Sequence, residues 1–467
     1  MTPSSNSPVL YQNASQTVFL IDIPASIARG QRLSPVQHPP PLPPGHSDPT
    51  TAPSTGNKST AESKLSRCLL SSPPLETPYP PSTEPKTDSA RSKVLQTIPP
   101  SERAFHGDII SPLVRSALAE IQDAYRDKWC LPRRYVCDAV SQSLDRVQHP
   151  KPGDMTVTAG VRDPEPIAYY YGFESAPDQP PVVLSPSCVN GFRTIDELTD
   201  LPVLNTSSES ATVRVGQDSR PTLQLEFTVP PLASFVACSL PTSQGEQTRV
   251  SPAPATIPGL GDRRFNLILL DPPWPNRSVR RGRQYRTNAY FDVDGLTSRI
   301  ADILRAHLYI SSDTAADDDA AADVVHRRPG IAAIWVTNAE KSRKAAYNAL
   351  QSAGLGLCAV EEWVWVKTTT EGEPVSPVDA LWRKPYEMLV IGRKQHADRA
   401  DPDGAGGANA NTIIRRVIAA VPDVHSRKPN LRDVFERVFF SSPSPAVLDG
   451  DTHDGVAYSA WRSSRAI

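Results

Sequence analysis

From about residue 255 onward, short apolar runs alternate with amphipathic stretches. Phe265-Asn-Leu-Ile-Leu-Leu270 is brief, apolar and bounded by polar residues, which predicts a buried strand. Asp271-Pro-Pro-Trp274 and a basic loop follow, and then the spacing predicts a helix near 295–309. Ile331–Val336 predicts a second strand, 339–353 a helix, Ala359–Val366 a third strand and Tyr386–Gly392 a fourth. Helices are expected over 412–420 and near 430–437. Strands alternating with helices imply an α/β fold with a parallel sheet covered on both faces. Ligands bind such sheets at the carboxyl ends of the strands, where Asp271 lies.

The earlier sequence is less regular. Thr17–Ile23 reads as a strand that needs a distant partner, because an isolated strand is not stable. Between Ile109 and about Gln148 the pattern is helical, with Leu113, Ala117, Ile121 and Tyr125 at steps of four and Trp129 after them. Residues 160–245 read as short strands, among them Ile167-Ala-Tyr, Thr212-Val-Arg-Val and Leu223–Val229. Five segments result. They are an N-terminal strand segment (1–30), a disordered Pro/Ser-rich insertion (31–104), an accessory α+β region (105–250), the α/β domain (255–440) and a tail (441–467).

Composition supports this division. Hydrophobic residues make up 39% of the 467, and 49 prolines are about twice the usual share, as expected of a folded part diluted by disordered sequence. Segment 31–104 is too poor in apolar residues to offset chain entropy. The acidic, Ala-rich 311–329 and the low-complexity 397–411 are expected to be loops. A net charge of −2 provides no global field for nucleic acid, so any basic surface must be local. The six cysteines are scattered without a CxxC pair, which predicts reduced thiols, no structural metal site and a nuclear or cytosolic location. No apolar run approaches a membrane span, and no secretory leader is expected.

Asp271-Pro272-Pro273-Trp274 carries the chemistry. A carboxylate can accept from an exocyclic amine, rigid prolines fix the backbone so that the Pro272 carbonyl can accept too, and an indole can stack on a ring. Such a set suits methylation of an adenine amine, a poor nucleophile whose lone pair is delocalised. The base must leave its stack to arrive, so a flipped or single-stranded adenine is expected. The competing reading is a strand-to-loop turn with a core Trp. The next loop, Asn276–Arg286, holds five arginines and Tyr285. Its guanidinium groups, Arg280 and Arg281 among them, suit phosphates, and Tyr285 suits base stacking. Alternatively this is a solvated basic loop. Trp335, Trp363 and Trp365 fit core packing better than stacking on a ligand. Glu387 fits an ion pair with Lys384 or Arg383 as well as a substrate contact.

Leu-Leu-Asp-Pro-Pro-Trp (269–274), Trp-Val-Thr-Asn (335–338), Glu-Trp-Val-Trp-Val-Lys-Thr (362–368), Lys-Pro-Tyr-Glu (384–387) and His-Ser-Arg-Lys-Pro (425–429) occur in that order. Together they resemble the mRNA (N6-adenosine) methyltransferase family, and most nearly its methyltransferase-like protein 4 branch. The resemblance implies a Rossmann-like fold, S-adenosylmethionine as cofactor and N6-methylation of adenine in RNA or DNA. The branch adds 2′-O-methyladenosine in small nuclear RNA as a substrate. It implies that Asp271, Pro272, Pro273 and Trp274 hold the adenine and that Asn276 and Arg277 belong to the substrate loop. It also implies that Trp363 and Lys367 line the pocket mouth and that Lys428 meets the cofactor's carboxylate. After Phe440 the chain departs from the family, lacking its next strand and its Trp-containing cofactor segments. That departure implies either an error in the deduced sequence or a relative that binds nucleic acid without normal cofactor binding.

Overall fold

The computed structural model describes residues 7–31, 69, 71–80, 84–133, 167–169, 180–217, 220–238, 257, 259–275, 293–310, 329–381, 383–394, 413–440 and 456–460. Val9–Gln12 (β1) and Val18–Ile21 (β2) form an antiparallel hairpin. Ile23–Gly30 (α1) follows, its first turn capped by the Asp22 carboxylate, which accepts from the Ala25 N–H. Asp88–Thr97 (α2) and Pro100–Ala104 (α3) lead through a π-helical stretch, Phe105–Ile110, into Ser111–Ala124 (α4). The expected disorder of 31–104 is therefore corrected over 71–80 and 88–104. Over 71–80 backbone bonds tie the segment to a folded partner, the Tyr79 N–H donating to Val375 O and Leu75 O accepting from the Thr370 N–H, while Ser101 and Glu102 bond Glu340 through their side chains. Residues 134–148 of the expected long helix lie outside the described residues, as do 311–328 and 397–411.

Seven short strands come next: Ile167–Tyr169 (β3), Val182–Val183 (β4), Val189–Phe192 (β5), Pro202–Leu204 (β6), Ala211–Gln217 (β7), Arg220–Val229 (β8) and Ser234–Val236 (β9). They make a sheet of order β3-β5-β7-β8 and a second of order β4-β6-β9, with a core of their own that includes Leu198, Val203 and Val213. The accessory region is thus two parts, because α4 buries Ile121 and its neighbours in the main core instead.

The main body contains Leu267–Asp271 (β10), Val293–His307 (α5), Ile331–Val336 (β11), Glu340–Ser352 (α6), Leu357–Lys367 (β12), Tyr386–Lys394 (β13), Ile414–Ala420 (β14), Arg432–Phe435 (α7) and Val456–Ala460 (β15). Its sheet runs β1-β2-β14-β12-β13-β11-β10-β15. The pairing is parallel except for β1 and for β13, which lies antiparallel between β12 and β11. A loop instead of a helix joins β12 to β13, so the wholly parallel expectation is corrected to a mixed sheet. The expected helix over 412–420 is also a strand. Its β-branched Val417 and Ile418 are fully buried in mid-sheet, and Arg416 is paired with Glu361 at 2.7 Å. The segment after Phe440 does contribute a strand, for the β15 backbone pairs with β10 from Leu267↔Val456 to Asp271↔Ala460.

Alternation sorts the side chains into two layers. Ile268, Leu270, Ile334 and Val336 face α4, α5 and α6. Leu267, Leu269, Trp335, Trp363 and Trp365 face α1 and α7. Asp271, two residues beyond Leu269, therefore belongs to the second face.

Candidate active site

Three strand ends and one turn converge on that face. Parallel pairing of Leu270 with Ile334 sets Asp271 beside Trp335, and antiparallel pairing sets Glu387 directly opposite Trp365. Lys367, two residues past Trp365, projects alongside. Lys428 reaches in from the turn after β14. Its Nζ lies 3.3 Å from Asp271 Oδ2 and 3.0 Å from Glu387 Oε2, while Lys367 Nζ is 2.6 Å from Glu387 Oε1. Beneath them the Trp335 and Trp365 rings meet edge-on at 5.9 Å, with Lys428 over one and Lys367 over the other. Two carboxylates and two ammonium groups make a locally neutral cluster.

Burial pushes the Asp271 carboxyl above the usual range; Lys428 opposes the shift and Glu387 adds to it. Burial pushes Glu387 up as well, but Lys428 and Lys367 outweigh it and bring its pKa to about 2. Lys428 is depressed by burial and raised by Glu387 and Asp271, which win. The Lys428 ammonium uses two of its three donors on carboxylates, and the Asp271 side chain remains 38% exposed. The cluster thus holds an accessible carboxyl beside a charged donor that, among the described residues, spends only two of its three hydrogens.

The turn after Asp271 is tightly made. The Trp274 N–H donates to Pro272 O at 2.8 Å, taking one of the two lone pairs expected to serve an amine. The Trp274 ring is buried in the main core, and its indole N–H donates to Trp335 O at 2.6 Å. It anchors the motif to β11, and Pro272 and Pro273 stiffen the link between that anchor and Asp271.

Trp363 is corrected. It does not line a pocket mouth, being 1% exposed, stacked on Phe435 and Phe439, and hydrogen-bonded to Glu361. Trp365, one strand period nearer the carboxyl end, is the indole that meets the charged cluster. Glu387 is the residue that sequence reasoning undervalued. Lys384, its proposed partner, donates instead to Ala380 O and lies 6.0 Å from the Tyr386 ring centroid. Asn276, Arg277, Arg280, Arg281 and Tyr285 lie outside the described residues. Among the described residues no group of three His, Cys, Asp or Glu could hold a metal ion, and no helix is long and apolar enough to cross a membrane.

Residues 318–448 match the MT-A70 family model. That stretch holds β11 to β14 and the Lys428 turn, and hence three of the four charged groups of the cluster. This stretch of the chain is similar to the MT-A70 family. It is 40% identical over 185 residues to the N6-methyladenosine RNA methyltransferase MTA1 of Cryphonectria parasitica, covering 38% of this chain and 45% of that protein. Against MTA1 of Pyricularia oryzae it is 29% identical over 437 residues, 91% of this chain and 85% of that one. It is 28% identical over 214 residues to the human N(6)-adenine-specific methyltransferase METTL4, 45% of this chain and 37% of that one. The aligned parts therefore span under half of the Cryphonectria and human proteins. The Asp271 motif lies outside the stretch matched to the family model and joins it through the β10–β11 pairing.

Proposed function

We propose that this chain is an adenine N6-methyltransferase acting on RNA or DNA with S-adenosylmethionine. The carrying observation is the accessible Asp271 carboxyl at a strand end, with the Lys428 ammonium 3.3 Å away. That carboxylate can accept from the adenine amine. The bond strengthens as the nitrogen becomes positive, so it favours the transition state over the ground state. With its pKa pushed up by burial, the same group is placed to take the amine's proton. Glu387 and Lys367 hold Lys428 in place, and the remaining Lys428 donor suits the carboxylate of the cofactor. The buried Trp365 Nε1, which lacks a partner among the described residues, is a second donor in the same layer. The donor set therefore fits the amino-acid end of the cofactor, which when bound supplies an electrophilic methyl group on a sulfonium.

A polyanionic substrate with a flipped or single-stranded adenine is supported by the arginines of 276–286, and reduced thiols such as Cys130 and Cys358 suit action in the nucleus or cytosol. Incubation with labelled cofactor and an adenine-containing oligonucleotide should transfer label. Asp271→Ala should lower the rate by about 10²–10³, the usual cost of removing one transition-state contact. No transfer to any RNA or DNA, with cofactor binding intact, would overturn the proposal. The divergent tail after Phe440 favours a second reading, a nucleic-acid-binding relative that does not use the cofactor. Calorimetry separates the two, since absence of binding heat at millimolar S-adenosylmethionine supports the second.

A further inference from the structure

The turn that delivers Lys428 is pinned by side chains from far N-terminal parts of the chain. It leaves β14 at Val421 and Pro422, whose carbonyls accept from Arg133 at 2.8 and 2.7 Å. Asp423 follows with a side chain at 0% exposure. Its Oδ1 accepts from the Ser72 N–H at 2.8 Å and lies 4.0 Å from Arg133 Nη1; its Oδ2 accepts from Arg427 at 2.6 Å. Arg427 immediately precedes Lys428. Just before Arg427, Ser426 holds φ at +65°, a left-handed conformation that a serine keeps only when its surroundings impose it. The Arg427 N–H closes the turn on Val424 O. On the far side the Asn430 N–H donates to Ser26 Oγ of α1. The turn is thus fixed at both ends, and neither anchor belongs to the residues that match the family model.

We propose that Asp423 is a positioning residue for Lys428: locked by Ser72 and Arg133, it grips Arg427 and so fixes where the Lys428 ammonium stands. A buried carboxylate that serves only to stabilise the fold would have no need to bond the residue next to the site's lysine, nor to sit inside a strained turn. Truncating it removes the carboxylate that Arg133 and Arg427 share and frees the turn to relax. A displacement of about 1 Å at such a group is enough to cost on the order of 10²-fold in function. This inference rests on the methyltransferase reading above and assigns a role in it to Ser72, Arg133 and Asp423, which no motif marks.

The test is a double-mutant cycle in the full chain. Calorimetry gives the affinity for S-adenosylmethionine, and fluorescence anisotropy the affinity for an adenine oligonucleotide. Wild type, Asp423→Asn, Lys428→Ala and the double variant are compared. Asp423→Asn should weaken cofactor binding about tenfold while oligonucleotide binding stays within about twofold. The double variant should bind the cofactor no more weakly than Lys428→Ala alone, since a group that acts through Lys428 has nothing left to position. Wild-type cofactor affinity in Asp423→Asn, or losses that multiply in the double variant, would overturn the proposal. If Asp423→Asn fails to fold, Arg427→Gln breaks the same link from a side chain that is 27% exposed, and the same cycle decides. Wild-type protein that binds no cofactor would remove the methyltransferase reading itself, whereas binding that is indifferent to Asp423 removes only this inference.

Discussion

Glu387 shows how one residue's charge state can report on the whole site. It bonds two lysines from two different elements, and they hold its pKa at about 2 against the pull of burial. A carboxylate whose folded pKa is depressed contributes stability that is fully present above its ordinary value near 4.5 and is lost as pH falls toward 2. Wild-type stability should therefore decline across that window, by about 2 kcal/mol once solvent screening of a 30% exposed side chain is allowed for. Glu387→Gln should start lower at pH 7 and lack that decline. Urea unfolding at pH 7, 5 and 3 measures both, and parallel curves for the two proteins would sink the idea. Legibility at this scale followed sequence distance. Asp271 could be placed at a strand end because it directly follows an apolar run, whereas the Trp274 ring, expected to stack on a base, is buried against β11. Glu387 could not be read, since Lys367 and Lys428 come from another strand and a turn, while Lys384 and Arg383 stood misleadingly close. Trp363 and Trp365 share a face, so alternation alone could not say which one reaches the site.

Elements that break the regular pattern sit where the site needs support. The π-helical stretch Phe105–Ile110 turns His106 inward, where Nδ1 meets the Tyr386 hydroxyl at 2.9 Å and Nε2 meets Asn338 O at 2.8 Å. Tyr386 precedes Glu387, and its carbonyl accepts from Asn338, so a helix packed against the sheet braces the strand that carries the carboxylate. Nothing in the periodicity of 105–124 announced this, because an extra residue in a helical turn shifts the buried stripe without interrupting it. β14 misread for a related reason: its arginines pair with Glu361 and Glu362 of the next strand, contacts that no local pattern announces. Burial drives the His106 pKa down to about 4, with Lys384 and Arg343 adding to the effect and the bond to Asn338 opposing it. A histidine depressed in this way is neutral when folded, while the unfolded chain takes up a proton below about 6.5. Stability should consequently rise with pH between 4 and 6.5 and level off above. His106→Gln should flatten that slope and cost about 1–3 kcal/mol at neutral pH through an unsatisfied Tyr386 hydroxyl. Thermal unfolding across pH 4–8 compares the two, and a slope that survives the substitution would assign it elsewhere.

At the scale of the whole molecule, the sheet is closed by chain segments that no single motif joins. β14, near the C-terminus, is flanked on one side by β12 and on the other by β2 from the extreme N-terminus, paired from Val417↔Val18 to Ala419↔Leu20. Phe19, Leu20, Ile21 and Ile23 are at most 1% exposed. At about 2 kcal/mol each, these four alone approach the 5–15 kcal/mol by which a typical domain is stable. Their removal would also open the β14 edge, and an exposed, flat, apolar edge is a template for aggregation. Asn430, and through it the far side of the Lys428 turn, would lose the Ser26 hydroxyl at the same time. Deleting residues 1–31 should therefore abolish cooperative unfolding and cofactor binding together, although the residues seen to pair with the charged cluster among the described residues are all retained. A peptide of residues 7–31 added to the truncated protein should restore both, since the pairing is backbone-directed and the apolar face is preformed. A truncated protein that melts in one sharp transition and binds cofactor as the full chain does would show that the sheet is complete without its N-terminal strands, and the site would then be independent of the segment that here appears as its outer wall.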